Sequence, residues 1–183
     1  MITGDGMEIA IDRNNKSDDY YGEVLAIIND YQKLIENPKK KIRPMMGQAL
    51  IYATISVVLL VIFAALYLTD SVQGWYIYIV ALFSLTLALS IVYMILIKRS
   101  ISALKNNSSG KKLIIEDGYV ELASDRQTAR LEMSEIRHII INKHSIAFLP
   151  KNASKNIIAV SADYSDAVIS AVLDKSLIVD NSK

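Results

Sequence analysis

Two long apolar stretches dominate the pattern of the chain. No charged residue occurs from Pro44 to Thr69, and none from Ser71 to Ile97; Asp70 alone stands between them. A helix that crosses about 30 Å of hydrocarbon needs about 20 mostly apolar residues. The sequence therefore predicts two spanning helices, roughly 49–69 and 75–97, joined by the turn Asp70-Ser71-Val72-Gln73-Gly74. So short a connection makes the two helices antiparallel neighbours.

The flanks follow other rhythms. Ile9 and Ile11 alternate with polar residues in Met7–Arg13, the period of a half-buried strand. Ser17-Asp18-Asp19 offers an N-cap and early acidic residues. Apolar positions then recur at Tyr20, Val24, Ile27, Tyr31 and Leu34, a helical spacing that Pro38 ends. The acidic residues of this helix (Asp18, Asp19, Glu23, Asp30 and Glu36) argue against an anionic bilayer surface and for packing on protein. After the second stretch, Asn106-Asn107-Ser108-Ser109-Gly110 reads as a linker.

From Lys112 the pattern is β. Leu113-Ile114-Ile115 and Tyr119–Leu122 flank the hairpin turn Asp117-Gly118. Ala129–Met133, Ile139–Ile141, Ile146–Leu149 and Ile157–Val160 complete six expected strands, and Ser165 to Lys175 reads as a closing helix. The chain thus divides into a cytoplasmic strand and amphipathic helix (1–46), a transmembrane hairpin (47–97), a linker (98–111) and a small antiparallel β-domain capped by a helix (112–183), an α+β membrane protein. A core of about 70 residues is marginal alone, so the N-terminal strand and helix are candidates to complete it.

Charge sets the orientation. Lys39, Lys40, Lys41 and Arg43 precede the first span, and Lys98, Arg99, Lys105, Lys111 and Lys112 follow the second. Asp70 is the sole acid between Asn37 and Ile115. Lysine and arginine near span ends stay inside, so both termini are expected in the cytoplasm, at a bacterial inner membrane. The N-terminus is acidic and polar and lacks the run of a cleavable leader, leaving the first apolar stretch as the insertion signal. Tyr67, Trp75, Tyr76 and Tyr78 near the turn, with Tyr52 and Tyr93 toward the other end, suit headgroup anchoring.

No Asp, Glu, Lys, Arg or His lies inside either predicted span, which argues against a pump or a proton-coupled carrier. Small residues line each helix, at Ala49, Ala53, Ser56 and Ala64 and at Ala81, Ser84 and Ala88. They fit packing of the hairpin on itself, or else a seam with a second copy. Lys39, Lys40, Lys41, Arg43, Lys98 and Arg99 are candidate contacts to anionic lipid, although orientation alone also accounts for them.

The order of parts resembles the YcxB-like bacterial membrane proteins. The residues that carry this are Leu113-Ile114-Ile115-Glu116-Asp117-Gly118, similar to that family's opening strand and turn, then Met133-Ser134-Glu135-Ile136, and Asn156 to Val160 followed by Tyr164 and a helix. Met133 replaces the family's usual tryptophan, and Val160-Ser161-Ala162 its frequent proline-lysine pair. The resemblance covers most of the chain and implies a pleckstrin-homology-like C-terminal domain.

Composition narrows the chemistry. The chain has no cysteine, which excludes disulfides, thiolate nucleophiles and cysteine-ligated metal. Its net charge of +1, with acids interleaving Arg126, Arg130 and Arg137, gives no nucleic-acid footprint. His138 and His144 lack a third ligand at metal-site spacing. Glu116, Glu121, Glu132 and Glu135 fall mostly on an expected solvent face, and Gly110-Lys111-Lys112 lacks the elements of a phosphate loop. No enzyme, cofactor or metal is expected. The reading that remains is a membrane-anchored module whose β-domain binds a protein partner or lipid. An immunity-type protein guarding its producer from a toxin, and an accessory subunit of a transport complex, are the alternatives.

Overall fold

The computed structural model describes residues 6–11, 17–42, 45–68, 76–106, 111–124 and 128–182. The expected turn Asp70–Gly74, Trp75, Arg43, Arg126 and residues 107–110 of the expected linker lie outside the described residues. The chain forms two compact units, one built from Met1–Ile42 with Ile101–Lys183 and the other from Arg43–Ser100.

The second unit holds helix α3 (Met45–Leu68) and most of helix α4 (Tyr76–Asn106). Both are long and apolar enough to cross a membrane. Their surfaces expose large apolar side chains: Leu50, Val61, Ile77, Leu82 and Leu89 are each more than half exposed. The Phe63 and Phe83 rings stack at 5.6 Å, where the two helices meet. Thr54, Thr86 and Ser90 return their hydroxyls to the carbonyls of Leu50, Leu82 and Thr86, each at 2.9 Å, so these polar groups are satisfied within their own helices. The helix α4 continues past the expected end at Ile97. No glycine or proline interrupts Lys98–Asn106, and Ile97, Ile101 and Leu104 keep the helical spacing on a buried face.

The first unit carries two four-stranded sheets. In one, strands β1 (Met7–Ile11), β2 (Lys111–Ile115), β3 (Tyr119–Ala123) and β4 (Thr128–Glu132) pair antiparallel in sequence order. Register sets Ile9 against Leu113, Leu113 against Leu122, and Val120 against Leu131, so one face is apolar at every second residue. The N-terminal strand thus joins the C-terminal sheet. In the other sheet the order is β7 (Ile158–Ser161), β6 (Ser145–Pro150), β5 (Ile136–Ile141) and β8 (Ile178–Asp180), with β8 parallel to β5.

One core joins both sheets. Leu113, Val120 and Leu131 from the first meet Ile139, Ile146, Phe148 and Ile158 from the second, and Val168 and Val172 close it. Strand β6 is buried at every residue because its other face is covered too. There Ala147 and Leu149, with Ile140, pack under Ile27 and Leu34 of helices α1 (Asp18–Asn29) and α2 (Tyr31–Glu36). The uninterrupted run Ile139-Ile140-Ile141 follows from this double coverage.

Three local readings change. The expected single N-terminal helix breaks at Asp30, whose carboxylate accepts from Lys33 at 3.1 Å and Lys40 at 2.8 Å. The closing helix α5 (Ser165–Ala171) stops short of Lys175. The ammonium of Lys175 folds back onto the carbonyls of Ile169 and Val172 and caps the helix from beyond its end. Strand β8 was not expected, since three residues at a chain end carry too little period to read.

Candidate functional site

Of the predicted basic contacts, Lys39, Lys41, Lys98 and Arg99 are exposed, and Lys40 pairs with Asp30. That pair, with Lys33, keeps the Asp30 carboxyl below the usual carboxylate range. Lys105 pairs with Asp18 and stands 5.8 Å over the Tyr21 ring, a local tie between the end of α4 and α1. Of the small-residue positions, Ala53 and Ser56 are buried on α3, with Ala49. Ala81, Ser84 and Ala88 are exposed; the covered face of α4 runs instead through Phe83, Leu87, Ser90 and Met94.

The histidines and carboxylates tie elements together rather than converge. His138 on β5 hydrogen-bonds the Ile35 backbone, and its burial there lowers its pKa below that of free histidine. His144 has Nε2 4.0 Å from Asp19 Oδ2. Glu135 pairs with Lys155 at 2.6 Å. Among the described residues no three metal-ligating side chains come together.

Two sites escaped sequence reasoning. The first is Glu23, only 3% exposed. Its Oε2 accepts from the His144 backbone N–H at 3.1 Å and the Ser145 hydroxyl at 2.8 Å, locking α1 to the β5–β6 turn. The available signal was position: Glu23 lies three residues after Tyr20 and four before Ile27, on the apolar stripe itself. A carboxylate there must find donors.

The second is a groove at the end of α5. The turn Glu116–Tyr119 closes on itself through paired backbone bonds of 3.0 and 3.3 Å. Between that turn, the start of β1 and Ser170-Ala171 lies an open cavity of about 470 Å³. A smaller one of about 90 Å³ continues past Ala171 to Met133, Leu173 and Asp174. Both are bordered by Glu116 and Asp117, so the groove has an acidic rim. Gly6 lets β1 start here, because a methyl at that position would strike the Glu116 side chain. Nearby, Tyr119 hydrogen-bonds Glu116, which pushes its phenol pKa up, and Arg130 lies 3.7 Å over the Tyr119 ring. Ser170 in this lining donates its hydroxyl to the Ala167 carbonyl at 2.8 Å, and Glu116 and Asp117 supply the carboxylates of the groove.

Comparison with protein-family models, with curated proteins and with solved structures finds no match to this chain.

Proposed function

We propose that this protein is a non-enzymatic, membrane-anchored interaction module of a bacterial inner membrane, its folded unit held in the cytoplasm by the α3–α4 hairpin. The observation that carries the reading is the pairing of β1 with β2. The segments before and after the two apolar helices build one core, so the chain must leave and re-enter the same side of any membrane it crosses. The surplus of lysine and arginine on that side argues for the cytoplasm. Two antiparallel runs of consecutive strands followed by a closing helix also suit the pleckstrin-homology-like architecture that the YcxB-like resemblance implies. Such a unit, anchored beside lipid, presents its surface to a protein or lipid partner.

The native absence of cysteine makes the test direct. Single cysteines at Ser71 and Ser154 are probed in intact cells with a membrane-impermeant maleimide, after carbonate extraction has tested membrane integration. Ser71→Cys should label from outside and Ser154→Cys only after permeabilisation. Labelling of Ser154→Cys in intact cells, or release of the chain by carbonate, would overturn the reading.

A further inference from the structure

We propose that the groove between the β2–β3 turn and the end of α5 docks a basic–apolar segment of a partner protein, which deepens the interaction-module reading and rests on it. Apolar surface is the first argument. Among the described residues of this unit, the most exposed large apolar side chain is Leu173, at 74%, and it lines the smaller cavity. The larger cavity, at about 470 Å³, lies within the range of about 300–1,000 Å³ in which pockets hold ligands. An exposed leucine beside a cavity of that size offers an apolar anchor a place to bury.

Charge selects the occupant. Glu116 and Asp117 border both cavities and Asp174 the smaller, and all three are exposed. Among the described residues Asp117 makes no ion pair, and Asp174 serves only the local Ser176. A lysine or arginine of a partner meets here a low-lying apolar floor for its stem and carboxylates for its head. The same acids repel an anionic lipid surface, so the groove favours a protein over a bilayer.

The test uses the full chain in zwitterionic nanodiscs and a random nine-residue peptide library displayed on phage. Enriched peptides should pair lysine or arginine with a neighbouring large apolar residue. Synthetic copies should lose at least tenfold in affinity for the Glu116→Gln/Asp117→Asn variant and for Leu173→Ser. Both variants should keep the native unfolding transition; Leu173→Ser, at a surface position, guards against a folding artefact. Enrichment of acidic or neutral peptides, no enrichment at all, or affinities unmoved by either variant would overturn the proposal. Groove-dependent sedimentation with phosphatidylglycerol vesicles would overturn it in favour of lipid. Peptides whose binding is lost on substitution of exposed Ile28 instead would remove the groove while leaving the interaction module standing. Failure of the chain to enter nanodiscs would strike the membrane anchor and not the groove.

Discussion

Replacing Glu23 by alanine takes an acceptor away from two donors that α1 shields from water. The His144 amide has a fixed direction and no second acceptor in the Glu23 latch, so its loss costs about 2 kcal/mol, within the ~1–3 kcal/mol of an unsatisfied buried group. The Ser145 hydroxyl proton can rotate toward another acceptor while its oxygen still accepts from Asn142 Nδ2 at 3.4 Å, so its share is about 1 kcal/mol. Glu23→Ala should therefore destabilise the folded unit by about 3 kcal/mol. Glu23→Gln keeps an acceptor oxygen and loses only the assistance of charge, about 1 kcal/mol. Urea unfolding of the full chain in detergent micelles, followed by tyrosine near-UV circular dichroism, reads both. With a slope of about 1.5 kcal/mol/M, the alanine midpoint falls by about 2 M and the glutamine midpoint by less than about 1 M. A cycle with Ser145→Ala should return a coupling of about 1 kcal/mol. Equal losses for alanine and glutamine, or a midpoint that does not move, would refute the assignment of Glu23 as the latch.

Leu34→Ala should cost about 2–5 kcal/mol in the same assay, since Leu34 is wholly buried against Ile140, Ala147 and Leu149. A loss under about 1 kcal/mol would mean that α2 does not cover the sheet. Tyr20 donates to the Ala159 carbonyl at 3.0 Å, and burial, then the neighbouring Tyr21, pushes its pKa well up. Its neutral form is the one the fold holds, so stability is full below the unfolded value of about 10 and falls as pH rises above it. Tyr20→Phe should flatten that alkaline fall while lowering neutral stability by about 1 kcal/mol, measured by urea midpoints between pH 8 and 11. The depressed pKa of His138 has the mirror consequence: its neutral ring is the folded form, so its contribution is lost as pH drops below about 6.5. His138→Gln should weaken the acid dependence of the urea midpoint between pH 7.5 and 5, and an unchanged slope would assign that dependence elsewhere.

Period made most of the elements legible. The two apolar helices were readable from uncharged runs longer than any buried core helix requires, and strands β2 to β7 from alternation bounded by turn residues. Even the joining of the N-terminal strand to the later sheet was foreshadowed, because seventy or so residues of β-domain bury too little surface alone. What stayed hidden depends on tertiary geometry. At the break, Asp30 is held by Lys33 and by Lys40 ten residues on, a pairing that helical period alone does not mark. On α4 the neighbouring helix meets Phe83, while the alanines and serine at 81, 84 and 88, whose size permits close approach, are exposed. The groove was invisible because Glu116 and Asp117 read as ordinary turn acids until α5 is brought beside them.

The pairing of β1 with β2 also fixes an order of events during synthesis. Strand β1 and helices α1 and α2 leave the ribosome first, yet the strands and sheet face that cover them are encoded after both apolar helices. The segment before the apolar helices must wait, with Ile27 and Leu34 uncovered, until β5 and β6 have followed. Contacts so distant in sequence form slowly. Until then the early segment carries uncovered apolar surface of the kind that aggregates. The unit built on β1 and β2 therefore reaches its fold only after both apolar helices have been made.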